Sequence, residues 1–208
     1  QPRMISAGVE TTTISGLANG TEYSFTARTD DRSGNASAGA TTATTPFLPR
    51  VLFHTDRDGN SEIYAVDPDG GNPTNLTNNG ASDVRPVWSP SRDRIAFGSD
   101  RDGDFEIWVM DADGTDPVQL TENAGYFDHE STWSPDGTRL AYVSNADGDY
   151  EIYVINADGS GTPDQLTFNS ADDESPSWSP DGSRIVFQSD RDGDSEIWVL
   201  DADGSDPA

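Results

Sequence analysis

The chain has 208 residues, a formal net charge of −26, no cysteine and a modest 32% of hydrophobic residues. A face able to neutralise phosphates needs clustered cations, so this balance argues against nucleic acid and anionic membrane and favours cations or basic partners. With no thiols there is no disulfide framework and no redox compartment to read. No run approaches transmembrane length, which argues against direct membrane insertion. All twelve basic residues are arginine, and aspartate far exceeds glutamate. A high-salt or cation-rich setting would produce that usage, and so would GC-rich codon bias. An aromatic share of 9%, recurring in short regular runs, marks a folded protein with a very acidic surface.

The chain opens on QPRMISAGVE, without a signal peptide, and reads as the middle of something longer. The first 45 residues contain LANGTEYSF, ending at Phe25, and the turn-forming DDRSGNAS, residues 30–37. This block resembles the C-terminal part of a fibronectin type III domain, with Tyr23 in the tyrosine-corner position. The resemblance implies that the Tyr23 hydroxyl bonds back to the backbone near Leu17 and that Phe25 faces a core. Only three of seven strands are covered, so the missing half would have to come from elsewhere. Residues 46–50, beginning PFLP, read as a short stiff linker.

From Val51 onward the chain is periodic. DRDGNSEIYAVD begins at Asp56, DRDGDFEIWVMD at Asp100, NADGDYEIYVIN at Asn145 and DRDGDSEIWVLD at Asp190. Trp88, Trp133 and Trp178 head a second motif, and an LT pair recurs at Leu76, Leu120 and Leu166. Each repeat of ~45 residues holds four short strand candidates separated by glycine turns. In EIWVM, Ile107 and Val109 point one way and Trp108 and Met110 the other, so the sheet needs neighbours on both faces. Four strands per repeat, sandwiched between copies, describe all-β propeller blades; a stacked solenoid is the rival, with usually shorter repeats.

The combination WSPDGxRIxF, SDRDGxxEIWVxDADG and QLT resembles the TolB-type repeat, also called PD40 or WD40-like, over residues 51–208. It implies a propeller of six to eight blades in a secreted, periplasmic or cell-surface protein. The second copy has SPSRDR in place of SPDG, which predicts a different turn there. The strand count gives about 3.5 blades, so the expectation is either a segment of a longer protein or sheets completed by another copy.

Three sets of residues are candidates for function. Carboxylates around the glycine turns suit a hard cation such as calcium, which takes six to eight oxygens. They are Asp56, Asp58 and Glu62; Asp100, Asp102, Asp104 and Glu106; Asp147, Asp149 and Glu151; and Asp190, Asp192, Asp194 and Glu196. Asn145 and Ala146 make the third copy the weaker one on this reading, and ordinary turn capping by aspartate is the competing explanation. Asp83, Asp128 and Asp173, each five residues before a tryptophan, place one carboxylate per blade at the entrance to the innermost strand, a candidate partner or ligand site. Tyr126, Phe127 and His129 sit with Asp128 in the one inter-blade loop that is a residue longer, a candidate contact for sugar or protein. His54 falls at a variable strand position and reads as structural.

Neither G-x-S-x-G nor H-E-x-x-H occurs. The leading expectation is a non-enzymatic extracellular or surface scaffold, possible calcium included, whose partners are protein or carbohydrate, or its own copies in a ring or filament. The alternative is the propeller domain of a larger secreted hydrolase or polysaccharide lyase.

Overall fold

In the computed structural model the described residues are 23–27, 40–44 and 50–205. The chain divides into two compact units, Gln1–Pro49 and Arg50–Ala208. In the first, β1 (Tyr23–Ala27) pairs antiparallel with β2 (Ala40–Thr44), Phe25 opposite Thr42. The Tyr23 hydroxyl contact, Leu17, the 30–37 turn and the PFLP linker lie outside the described residues.

The second unit is a row of four antiparallel sheets. The first contains β3 (Val51–Thr55), β4 (Glu62–Val66) and β5 (Thr74–Asn75). The second contains β6 (Asp83–Trp88), β7 (Arg94–Ser99), β8 (Glu106–Asp111) and β9 (Val118–Gln119). The third repeats it with β10 (Asp128–Trp133), β11 (Arg139–Ser144), β12 (Glu151–Asn156) and β13 (Asp164–Gln165). The fourth has β14 (Asp173–Trp178), β15 (Arg184–Ser189) and β16 (Glu196–Asp201). Strands pair in chain order throughout, as the hairpin turns require. These are propeller blades, four-stranded in the second and third repeats and, among the described residues, three-stranded in the first and fourth.

The apolar residues of the central strands point to both faces because the second and third blades are each buried between two others. Ile107 and Val109 of β8 pack with Trp133, Leu140, Tyr142 and Tyr153 of the third blade. Met110, from the other face of the same strand, joins Ile63 and Ala65 of the first blade together with Ile95 and Phe97. Burial of one such side chain is worth about 1.5–3 kcal/mol. The indole of each inner-strand tryptophan adds a polar tie: Trp133 Nε1 donates to the Val87 carbonyl and Trp178 Nε1 to the Thr132 carbonyl, each at 3.2 Å. The fourth blade shows what the stacking achieves. Ile197 is 73% exposed, whereas Ile107 and Ile152, at the same place in earlier blades, are fully buried.

The turn between β6 and β7 does not differ as its sequence suggests. Arg92 adopts φ 60°, beside 71° for Gly137 and Gly182, and its amide donates to the Ser89 carbonyl at 2.9 Å, the same bond those glycines make. The capping carboxylate has moved by two positions: Asp93, instead of an aspartate at 91, takes the Ser89 hydroxyl at 2.9 Å and the Ser91 hydroxyl at 2.5 Å. Elsewhere Asp136 takes Ser134 and Thr138 in the same manner, which holds its carboxyl down at about 2. An arginine at positive φ carries a cost of roughly 1–2 kcal/mol that glycine avoids. Arg92→Gly should therefore raise stability by about 1 kcal/mol after the larger chain entropy of unfolded glycine is subtracted. Gly137→Arg should lower it by a similar amount, both read from urea unfolding midpoints.

Candidate functional site: the blade junctions and their acidic turns

Each blade hands over to the next through a polar clasp. At the first junction Glu62 is buried at the start of β4, where it takes the Thr77 hydroxyl at 2.5 Å and the Asn79 amide at 2.9 Å. The Asn79 side chain then donates to Asp83 of the second blade at 2.5 Å. Asp83, fully buried, also receives Arg101 at 2.9 Å. The third junction repeats the series as Glu151, Asn169, Asp173 and Arg191, with Arg191 at 2.7 Å from Asp173. The middle junction has Glu106, Thr121, Asn123 and Asp128. Its arginine is missing, because Ala146 stands at that place.

These contacts assign places to the inner-strand aspartates. Asp83, Asp128 and Asp173 do lie at the first residue of the innermost strands, but all three are fully buried between blades instead of facing an open space. Buried carboxylates hold only with partners: an asparagine supplies one at each junction, joined by an arginine at Asp83 and Asp173 but not at Asp128. Burial also raises Glu106 and Glu151 to about 7, helped in each case by the neighbouring aspartate across the junction.

The acidic turns fall into two classes. Asp102, Asp104 and Glu106 bring three carboxylates within 4.8 Å of one another, as do Asp147, Asp149 and Glu151. The third copy, expected to be the weaker site, thus converges as well as the second. The reason lies in the first turn position, which takes no part: Asp100 Oδ1 accepts the Ser82 amide at 2.7 Å, and Asn145 Oδ1 accepts Phe127 in the equivalent way at 2.8 Å. In the first copy Asn60 replaces the third carboxylate and donates to Glu62 at 2.9 Å, while Asp58 accepts the Tyr64 hydroxyl. In the fourth, Glu196 is exposed, and no such grouping forms around Asp190, Asp192 and Asp194 among the described residues. Asp102, Asp104 and Glu106 are the donor set that suits a hard cation, with Gln119 and the Gly125 amide already bonded to the first two.

The longer inter-blade loop also divides. Phe127 is 46% exposed and its ring lies 6.5 Å from that of Phe105; with Val84, Arg85 and His129 they line a cavity of about 190 Å3. His129 rests against Tyr150, ring centres 5.1 Å apart, and burial pushes its pKa down. Tyr126 is exposed and does not line this cavity.

Sequence reasoning missed the residues two positions beyond each aspartate. Arg85, Glu130 and Ser175 all have positive φ, between 52° and 56°, at bulges of the innermost strands. Glu130 bonds Arg85 on one side and takes the Ser175 amide at 2.9 Å on the other, and the Arg85 amide reaches His54 Nδ1 at 3.4 Å. A belt therefore crosses all four blades along the inner edge. Their 45-residue spacing was the available signal, but three unlike side chains conceal it. His54, read as structural, meets that belt through its ring nitrogen.

Because the shifted glutamates hold protons more tightly folded than unfolded, their contribution to stability is complete below about pH 4.5 and is lost as pH rises to about 7. The turn aspartates act oppositely: Asp136 and Asp181 are held low by hydroxyl and amide donors, and that stabilisation fades below about pH 4. Thermal unfolding should show a maximum near pH 5. Glu106→Gln should flatten the decline between pH 5 and 7 by about half.

The family described as PD40, TolB beta propeller domain, matches residues 26–132 and 122–208. A putative TolB from Agrobacterium tumefaciens superposes with a TM-score of 0.68 at 27% identity, covering 76% of this chain and 59% of that one. TolB from Acinetobacter baumannii gives 0.65 at 25% identity, covering 83% and 45%. A Mycobacterium tuberculosis puromycin-hydrolyzing peptidase, at 18% identity, TM-score 0.62 and coverage of 78% and 28%, shares the fold. The chain thus spans less than two thirds of the length of any of the three. No curated protein matches it. Blade order, the repeated tryptophan and DG turns, and a family match over most of the length agree: the chain belongs to the TolB β-propeller (PD40) family.

Proposed function

We propose that this propeller segment is a non-enzymatic extracellular or surface interaction scaffold, with the periplasm as the alternative location. On this reading it takes protein partners, its own copies among them, and calcium steadies its acidic turns. The observation that carries the proposal is an apolar blade face left bare, together with open strand edges, among the described residues. Val186 is 37% and Ile197 73% exposed on a blade face of the kind that is buried at every internal junction. The first blade has no strand on the free side of β3, and the last has none beyond β16, among the described residues. Exposed apolar faces and open strand edges favour stacking and strand addition. Either a longer chain or a second copy would supply the cover. Head-to-tail contacts of the second kind close into rings or extend into filaments.

Light scattering coupled to gel filtration tests the self-assembly: mass rising with concentration is expected, and Ile197→Asp should shift the population to smaller species. A clean monomer at every concentration would sink it. Calcium is tested separately by melting curves. A site filled at a hundredfold excess over its Kd adds about 2.7 kcal/mol, so several degrees of stabilisation are expected, reversed by chelator and reduced in Asp104→Asn. No response to calcium leaves the turns as capped loops.

A second reading, the gating or substrate-binding propeller of a larger secreted hydrolase or polysaccharide lyase, draws on the fold shared with the peptidase. The exposed Phe127 beside His129 would then be its contact for peptide or carbohydrate. Phe127→Ala weakening a glycan or peptide interaction without altering the melting temperature would favour it.

A further inference from the structure

Three blades carry an arginine in the acidic turn, and in all three its guanidinium lies over a pair of rings. Arg57 covers Phe53 and Tyr64 at 5.5 and 4.6 Å, Arg101 covers Phe97 and Trp108 at 5.3 and 4.4 Å, and Arg191 covers Phe187 and Trp198 at 5.2 and 4.5 Å. In the second and fourth blades the same guanidinium is held by two further acceptors. Nε donates to a serine hydroxyl, Ser99 or Ser189, at 2.9 Å, and Nη2 reaches the buried aspartate.

The third blade keeps every acceptor and lacks the cation. Tyr142 and Tyr153 stack with centres 5.7 Å apart at 30°, matching the 5.8 Å and 29° of Phe53 and Tyr64 under Arg57. Ser144 is buried, and among the described residues its hydroxyl accepts only the Ala146 amide, at 3.3 Å, a contact that the Ser189 hydroxyl makes in addition to the Arg191 guanidinium. Asp128 is fully buried, its Oδ2 bonded to Asn123 and its Oδ1 without a partner among the described residues. Asp173 also leaves Oδ1 unmatched, but its Oδ2 carries both Asn169 and Arg191. The oxygen of Asn123 lacks a donor too, whereas Asn79 and Asn169 receive backbone amides at 2.6 and 2.8 Å.

We propose that this junction is a socket for a guanidinium group supplied from outside the blade, by an arginine of a partner polypeptide or by a free arginine-type compound. The ligand lies over Tyr142 and Tyr153, bridges Ser144 and Asp128, and enters beside Ala146. The resident arginines of the sister blades keep about a fifth of their side-chain surface, 20% and 18%, so this position borders solvent. Tyr142 is only 1% exposed, so entry requires a local opening, which keeps affinity low. A carboxylate in a dry site favours a cation, and the flat guanidinium can satisfy ring, hydroxyl and carboxylate at once where an ammonium cannot.

The test is a titration of the full chain with methylguanidinium, followed by amide shifts in nuclear magnetic resonance spectra. Saturable shifts around Ser144, Ala146 and Asp128 are expected, with a Kd on the order of 1 mM and at least fivefold weaker binding of methylammonium. Ala146→Arg fills the socket with its own guanidinium and should abolish the shifts while raising the melting temperature. Ser144→Ala, which removes one acceptor without adding bulk, should weaken binding severalfold and serves should the arginine variant fail to fold. A capped arginine tripeptide binding tenfold tighter than methylguanidinium assigns the natural source to a polypeptide, and equal affinities assign it to a small molecule. Absence of saturable shifts, or equal shifts in wild type and Ala146→Arg, overturns the proposal. Neither result depends on self-assembly or calcium.

Discussion

A carboxylate buried between blades is the constraint around which the second unit is organised. Asp83, Asp128 and Asp173 begin the innermost strands, and each is removed from water by the blade before it. Such a charge is tolerable only with donors, so an asparagine is tied to each of the three aspartates and an arginine as well to Asp83 and Asp173. Apolar packing stacks the sheets, but it is nondirectional. The clasp adds direction, linking the start of the third strand of one blade to the first strand of the next and fixing which edge faces inward.

This division of labour explains how far the sequence could be read. The strands, their order and the two-faced burial of EIWVM follow from alternation and from glycines that must turn at positive φ. The clasp was partly visible as Asp and Glu at fixed distances, yet its meaning was not, since the pairing runs between neighbouring repeats and alignment compares each repeat with itself. The same blindness hid the Arg85–Glu130–Ser175 belt, in which unlike residues occupy one structural position. Arg92 shows the opposite error. There the sequence changed and the turn did not, because Asp93 took over the cap from two positions away.

The acidity of the turns likewise has two origins. Asp100, Asp113, Asp136 and Asp181 are accounted for by amides and hydroxyls that they cap. Asp102, Asp104 and Glu106, with Asp147, Asp149 and Glu151, gather more negative charge than capping requires. Both gatherings include a glutamate of the clasp, so anything that altered charge in the turn would be felt at the blade junction behind it.

The exposure of the fourth blade's outer face bears on how the protein comes apart. Each blade is held by interfaces with its neighbours, and among the described residues the fourth has one such interface where the second and third have two. Arrays of this kind behave as one-dimensional lattices, in which an end unit lacks half of its coupling energy. Amide protection should therefore follow coverage, lowest at β14–β16 where their outer face stays bare and equal to the middle blades where a further sheet lies against it. A single free energy of unfolding would then be an average over partly melted rows, and its value would depend on what caps the end.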